Sequence, residues 1–139
     1  HYSHSHYEEH LKLTREIIKR KYSEYLPYFD KVMKARSGCM FNMFIMKKSL
    51  ADQYCNWLFD ILGELEQKVD VERLSPFQAR LYGRVAEIIF NAWLLYQIEI
   101  NHYKVREIGY LSLGPTDWGR KVTAFLGAKL FHKKYEGSF

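Results

Sequence analysis

The stretch from Cys39 to Glu66 constrains the fold most, because its hydrophobic period changes abruptly. From Met40 to Met46 almost every residue is apolar or aromatic, which is typical of a strand buried on both faces in a mostly parallel sheet. After Ser49, a typical N-cap residue, apolar side chains recur from Leu50 to Leu65 at the spacing of an amphipathic helix. A buried strand that leads directly into a helix predicts an α/β unit.

Asn42 is the polar residue inside this apolar strand. A buried amide needs partners for both its donors and its acceptors, and a ligand hydroxyl can serve as either partner. We therefore predict that Asn42 binds substrate. The alternative is a structural hydrogen bond to a neighbouring loop.

The pattern of the rest of the chain predicts further helices and one more strand. Ser75 before Pro76, for example, is typical of a helix start. The predicted helices cover residues 8–22, 28–34, 49–69, 76–96 and 117–132, and the predicted strands cover residues 40–46 and 104–113. The expected fold class is therefore α/β and helix-rich, with few strands.

The net charge of +5 lies mostly at the end of the chain, where residues 100–139 hold seven basic and three acidic residues. This excess indicates an anionic partner, such as phospholipid headgroups, a polyprenyl-phosphate-linked acceptor or nucleic acid, and the alternative is a solvated helix face. No basic and aromatic stripe forms a recognisable nucleic-acid-binding motif, so nucleic acid is not expected. Basic residues surround an apolar face in the last predicted helix, which is typical of a membrane-surface helix or of a terminal helix docked on the fold. These basic residues are Arg120, Lys121, Lys129, Lys133 and Lys134.

The two cysteines and the hydropathy of the chain predict the cellular compartment in which the protein lies. Cys39 and Cys55 lack metal-binding spacing and form no disulfide framework, so we expect the reduced cytoplasm. No apolar run approaches 18 residues, the length that a spanning helix needs. The predicted location is cytoplasmic, with peripheral attachment at the inner face of the membrane if the last helix binds lipid.

Arg80, Arg84 and Glu87 share one face of a predicted helix, at spacings of four and three. The two guanidinium groups could grip a phosphate or a sugar carboxylate, with Glu87 as orienting group or general base. The alternative is a surface ion-pair ladder of small energetic value.

Two groups of residues have side chains that could bind a metal ion, but neither has the neighbouring ligands or backbone setting that a metal site requires. His1, His4, His6 and His10 have no carboxylate or cysteine that completes a ligand set. The pair in Asp70-Val71-Glu72 follows a long helix instead of a strand. We therefore assign no metal ligand within this chain.

Four segments carry a resemblance to a known family: HYSHSHYEEHL at the start, YLPYFDKVM at 25–33, FNMFIMKKSLADQYCNWLFDILGELE at 41–66 and QARLYGRVAEIIFNAWL at 78–94. They resemble the DUF4422 family, bacterial capsular and exopolysaccharide glycosyltransferase-like proteins of GT-A type. The resemblance implies that residues 1–139 are a single-domain fragment, the C-terminal part of a GT-A-like nucleotide-diphospho-sugar transferase domain.

The resemblance also implies an activity and its residues. The activity is transfer of a sugar from a nucleotide-sugar donor to a saccharide or lipid-linked saccharide acceptor. Any divalent cation, Mn or Mg, would be bound by residues outside this chain. Glu87 would be catalytic, and Arg80, His4 and His6 would bind substrate together with Asn42. Relatives tend to read Ser-Glu-Arg where this chain has Ala86-Glu87-Ile88, so a role for that arginine is not expected here. The alternative function is a non-catalytic module that binds a membrane surface or a partner through the basic last helix.

Overall fold

The computed structural model describes residues 8–35, 38–39, 43–76 and 78–109, and Val122. Within these ranges the protein is a bundle of four α-helices with three short 3₁₀ turns. The helices are α1 (Glu8–Lys21), α2 (Leu26–Lys34), α3 (Lys48–Glu66) and α4 (Leu81–Glu99), and the 3₁₀ turns are Ser23–Tyr25, Val71–Arg73 and Gln78–Arg80.

Local sequence explains where several of these helices begin and end. Helix α1 has two glutamates in its first turn and three basic residues in its last, which complements the helix dipole. Helix α2 carries Pro27 near its start, where a missing backbone N–H costs nothing. Before α4, the Ser75 hydroxyl accepts a hydrogen bond from the backbone N–H of Gln78 at 3.2 Å.

The core lies between α4 and the other three helices. Helix α2 packs mainly on α4, and α1 packs mainly on α3. The residues of α4 that form the core are Leu81, Val85, Ala86, Ile89, Phe90, Ala92 and Trp93. Against them pack Leu11, Ile17 and Ile18 of α1, Phe29 of α2, and Tyr54, Trp57, Leu58, Ile61 and Leu65 of α3. Because α4 is apolar on several sides, it forms the centre of the bundle.

The predicted α/β fold is wrong for the part of the chain that the structure describes, because none of those residues lies in a strand. Residues 43–47 and 102–109 have no regular secondary structure, whereas residues 40–42 and 110–113 of the predicted strands lie outside the described ranges. Met43 is 64% exposed and Ile45 is 93% exposed, so the run is not buried on both faces. A short apolar run does not define a strand by periodicity alone, and here the apolar faces of the helices form the core instead.

The helix predictions are confirmed where the structure describes them, with small differences in their bounds. The helix predicted from residue 28 begins at Leu26, and the one predicted for 49–69 is Lys48–Glu66. The helix predicted for 76–96 starts later, at Leu81, because a 3₁₀ turn precedes it. The helix predicted for 117–132 lies outside the described residues except for Val122.

Among the described residues, none of the helices has both the length and the apolar character needed to cross a lipid bilayer.

Candidate functional site at the start of helix α4

The charged residues that the sequence singled out lie at the start of α4, but Arg80 lies in the 3₁₀ turn before the helix and not on the helix as predicted. Arg80 closes the preceding 3₁₀ turn and is exposed, and Arg84 and Glu87 follow on α4. The Arg84 Nη1 atom lies 3.6 Å from Glu87 Oε2. The Glu87 side chain keeps 14% of its surface exposed and that of Arg84 keeps 29%, so the carboxylate is the more enclosed partner.

This arrangement leaves the Glu87 carboxylate able to bind a further group. A nitrogen to oxygen distance of 3.6 Å is longer than a hydrogen bond, so Arg84 attracts Glu87 electrostatically without taking up its lone pairs. A carboxylate can accept several hydrogen bonds, and a ligand hydroxyl is a suitable donor. Glu87 can therefore accept a hydrogen bond from a ligand hydroxyl, while Arg84 presents positive charge beside it.

One turn after Glu87, Asn91 fixes a second segment of the chain against α4. Its Oδ1 accepts a hydrogen bond from the Cys39 backbone N–H at 2.7 Å. Its Nδ2 donates to the Cys39 carbonyl oxygen at 2.8 Å and to the Glu87 carbonyl oxygen at 2.7 Å. Asn91 is 9% exposed, so this buried amide is satisfied by backbone groups alone. We call these contacts the Asn91 anchor.

Gly38 allows the chain to approach α4 this closely. A Cβ atom at position 38 would lie 2.9 Å from Asn91 Oδ1, closer than real Cβ contacts, and 3.2 Å from Asn91 Cγ, which is tighter than most such contacts. A side chain there would push Cys39 away from the Asn91 amide. The glycine is therefore a requirement of the anchor.

Beyond the anchor, Phe44 packs the irregular segment 43–47 against α3 and α4. Its ring stacks on Phe90 with centroids 5.5 Å apart and meets Tyr54 edge to face at 5.4 Å. The neighbouring Met43 and Ile45 are exposed. Two contacts on α4, at Asn91 and Phe90, thus fix the backbone on either side of residues 40–42.

Residues 1–99 match a family model described as a domain of unknown function, DUF4422. The chain belongs to the DUF4422 family. Comparison with curated proteins and with solved structures found no significant match. Since α4 ends at Glu99, the Arg84–Glu87 pair and the Asn91 anchor both lie within the DUF4422 match.

The other predicted site residues of this DUF4422 protein lie outside the described part of the chain. This holds for His4 and His6, for Asn42, and for the basic residues of the last predicted helix, Arg120, Lys121, Lys129, Lys133 and Lys134. Their predicted roles stay predictions. Of the predicted catalytic and substrate-binding residues, the structure brings Arg80 and Glu87 to the same end of α4.

Sequence reasoning missed the Asn91 anchor, although a signal for it was present. Asn91 lies between Phe90 and Ala92 on the most apolar helix, and the argument applied to Asn42 applies equally to it. Two of its three hydrogen bonds go to the backbone of Cys39, which is 52 residues away, and no local pattern reports such a contact.

The described residues do not supply a ligand set for a divalent cation. Within these ranges, no three His, Cys, Asp or Glu side chains are grouped so that they could hold a metal ion. Asp70 instead accepts a hydrogen bond from the backbone N–H of Glu72 at 3.2 Å and so caps the 3₁₀ turn Val71–Arg73.

Proposed function

We propose that this DUF4422 protein acts in glycosyl transfer, moving a sugar from a nucleotide-sugar donor to a saccharide or lipid-linked saccharide acceptor during capsule or exopolysaccharide synthesis. The observation that carries the proposal is the Arg84–Glu87 pair, a largely enclosed carboxylate beside a guanidinium at the start of α4. Further support comes from the resemblance of the family to capsular and exopolysaccharide glycosyltransferase-like proteins.

The proposed roles follow from the chemistry of the reaction. An acceptor hydroxyl must lose its proton as it attacks the sugar, and the Glu87 carboxylate is a group that can take it. The departing nucleotide develops negative charge on phosphate oxygens, which guanidinium groups bind well. Arg84, one turn before Glu87 on α4, and Arg80, in the 3₁₀ turn just before the helix, would supply this positive charge.

A transfer assay tests the proposal. The full chain is incubated with individual nucleoside-diphosphate sugars and lipid-linked acceptor from cell membranes, and release of the nucleoside diphosphate is followed. We expect release that depends on acceptor, and Glu87→Gln should lower kcat by about 100-fold because it removes a general base. The melting temperature should change little, since the Arg84 contact is a partly exposed ion pair.

Glu99→Gln is the matched control, because Glu99 lies on the same helix and also pairs with a cation, Lys31, at 2.5 Å. It should leave kcat unchanged. If no nucleotide sugar is consumed, or if both variants retain full activity, the glycosyl-transfer proposal is wrong.

A further inference from the structure

A groove lies between α1 and α3, on a face of the bundle that the Arg84–Glu87 pair does not use. Its volume is about 660 Å³, and charged side chains from the ends of both helices line most of it. Phe59 of α3 also lines the groove and is 65% exposed. An exposed aromatic ring beside charged side chains in a concave surface offers a ligand both an apolar face and polar partners.

Gly63 leaves the ring of Phe59 uncovered. The two residues are four apart on α3, so their positions are neighbours on the helix surface. A Cβ atom at position 63 would meet no atom within 4 Å. The glycine therefore serves no close contact among the described residues, and the space that its side chain would fill remains open beside the ring.

The polar groups around the ring are held in fixed positions by ion pairs. Glu64 pairs with Arg20 and lies 3.5 Å from the ammonium group of Lys68. Asp60 contacts the ammonium group of Lys21 at 2.5 Å and accepts a hydrogen bond from the Tyr22 hydroxyl at 2.8 Å. Ion pairing keeps both carboxylates charged, since Arg20 lowers the pKa of Glu64, and Lys21 and Tyr22 lower the pKa of Asp60. Each remains an acceptor with lone pairs to spare.

This combination matches the chemistry of a sugar ring. A pyranose presents a face of C–H groups, which carry partial positive charge and are attracted to the negative face of an aromatic ring. Its hydroxyls lie around the edge, where each can donate to a carboxylate and accept from a guanidinium or ammonium group. Apolar or purely ionic ligands would use only one of the two features.

We propose that the groove around Phe59 and Gly63 binds a saccharide, with the sugar ring on Phe59 and its hydroxyls on Glu64 and Arg20. This deepens the proposed function, on which its biological meaning rests, because the saccharide would be part of the acceptor chain. The groove is open and shallow, so the affinity is weak, with a Kd of about 1 mM for a short oligosaccharide.

The test is a binding titration of the full chain with four tetrasaccharides: maltotetraose, cellotetraose, chitotetraose and tetragalacturonate. Binding is followed by saturation-transfer NMR from the protein to the sugar and by the amide signals of residues 59–68. At least one tetrasaccharide should bind and shift the Gly63 amide signal. Phe59→Ala should weaken that binding by about tenfold, because it removes the aromatic face.

Two further variants, one that blocks the groove and one control, complete the binding test. Gly63→Leu should block the groove and weaken binding similarly without disturbing the helix, since position 63 faces open space and leucine is a good helix former. Ile45→Ala is the matched control, because Ile45 is 93% exposed and does not line the groove, and it should bind the sugar normally.

Three results would overturn the inference. They are no binding of any of the four sugars up to about 10 mM, binding that survives both Phe59→Ala and Gly63→Leu, and self-association of the wild-type chain that Phe59→Ala abolishes while no sugar binds. Because the titration contains no nucleotide sugar, its outcome is separate from the transfer assay. Sugar binding without transfer would contradict only the proposed function. Transfer without sugar binding in the groove would contradict only the proposed saccharide site.

Discussion

At the scale of single residues, Asn91 is a side chain that connects two distant parts of the chain, since it lies 52 positions from its partner Cys39. It is a buried amide on an apolar helix, and its three hydrogen bonds go to the backbone of Cys39 and of Glu87. Loss of the side chain would leave part-buried N–H and C=O groups without partners, which costs more than an average hydrogen bond contributes. Its location one turn after Glu87 means that the anchor also helps to position the candidate catalytic segment.

Asn91→Ala should lower the free energy of unfolding by about 1–3 kcal/mol, because two backbone groups of Cys39 lose their partner in a partly buried place. Urea denaturation followed by circular dichroism measures this difference. Asn101→Ala is the control, since Asn101 is exposed and its amide donates only to Gln97 among the contacts seen, so about 0.5 kcal/mol or less is expected. Equal losses in the two variants would show that the anchor contributes no special stability.

At the scale of elements, apolar burial holds the four helices together and ion pairs link them at the surface. Arg15 of α1 makes two hydrogen bonds of 2.8 Å to Asp30 of α2, a bidentate geometry. Lys21 of α1 pairs with Asp60 of α3, and Lys31 of α2 pairs with Glu99 of α4. Partly exposed pairs of this kind contribute little individually, but they fix which helix ends lie together.

These pairs predict a loss of stability in acid. Arg15 lowers the pKa of Asp30 below its ordinary value of 3.8, and ion pairing does the same for Asp60 and, below 4.5, for Glu64. Because each folded-state pKa is below the unfolded one, the stabilisation is complete above the unfolded pKa and is lost as the pH falls through the folded value. We therefore expect the melting temperature to be level near neutral pH and to decline below about pH 4.5.

Asp30→Asn provides the control for the acid transition. It removes one of the three carboxylates, so the variant should melt at a lower temperature at pH 7 and show a smaller further decline in acid. Thermal melts in buffers of constant ionic strength measure both effects. A melting temperature that rises as the pH falls from 5 to about 3 would contradict the assigned direction of these shifts.

At the scale of the whole molecule, charge is distributed unevenly between the bundle and the end of the chain. Residues 100–139 carry +4 of the net +5. An excess of this kind attracts anionic surfaces by about 1 kcal/mol per basic residue close to a lipid headgroup layer. An acceptor linked to a lipid would bring the protein to such a surface.

The full chain should therefore sediment with vesicles that contain anionic lipid and bind neutral vesicles poorly, with binding that weakens as salt screens the charges over about 8–10 Å. Replacing Lys129, Lys133 and Lys134 with glutamine should remove the preference. As a control, the same replacement of Lys12, Lys19 and Lys68, which are basic residues of the bundle, should leave most of it. Equal cosedimentation of the wild-type chain with anionic and neutral vesicles at low salt would exclude membrane attachment through this segment.

The sequence by itself determined the helices of the described residues and the family. It also indicated the Arg84–Glu87 pair of the candidate site. Helical periodicity is a local property, so it located the helices of the described residues to within about five positions, and the spacing of Arg84 and Glu87 placed them one turn apart on α4. The tertiary structure decided whether the apolar run around Phe44 pairs as a strand or lies on helices, because strand formation depends on a partner far away in sequence. It also decided the Asn91 anchor and the groove at Phe59, since each joins residues about 40 to 50 positions apart whose contact only packing can create.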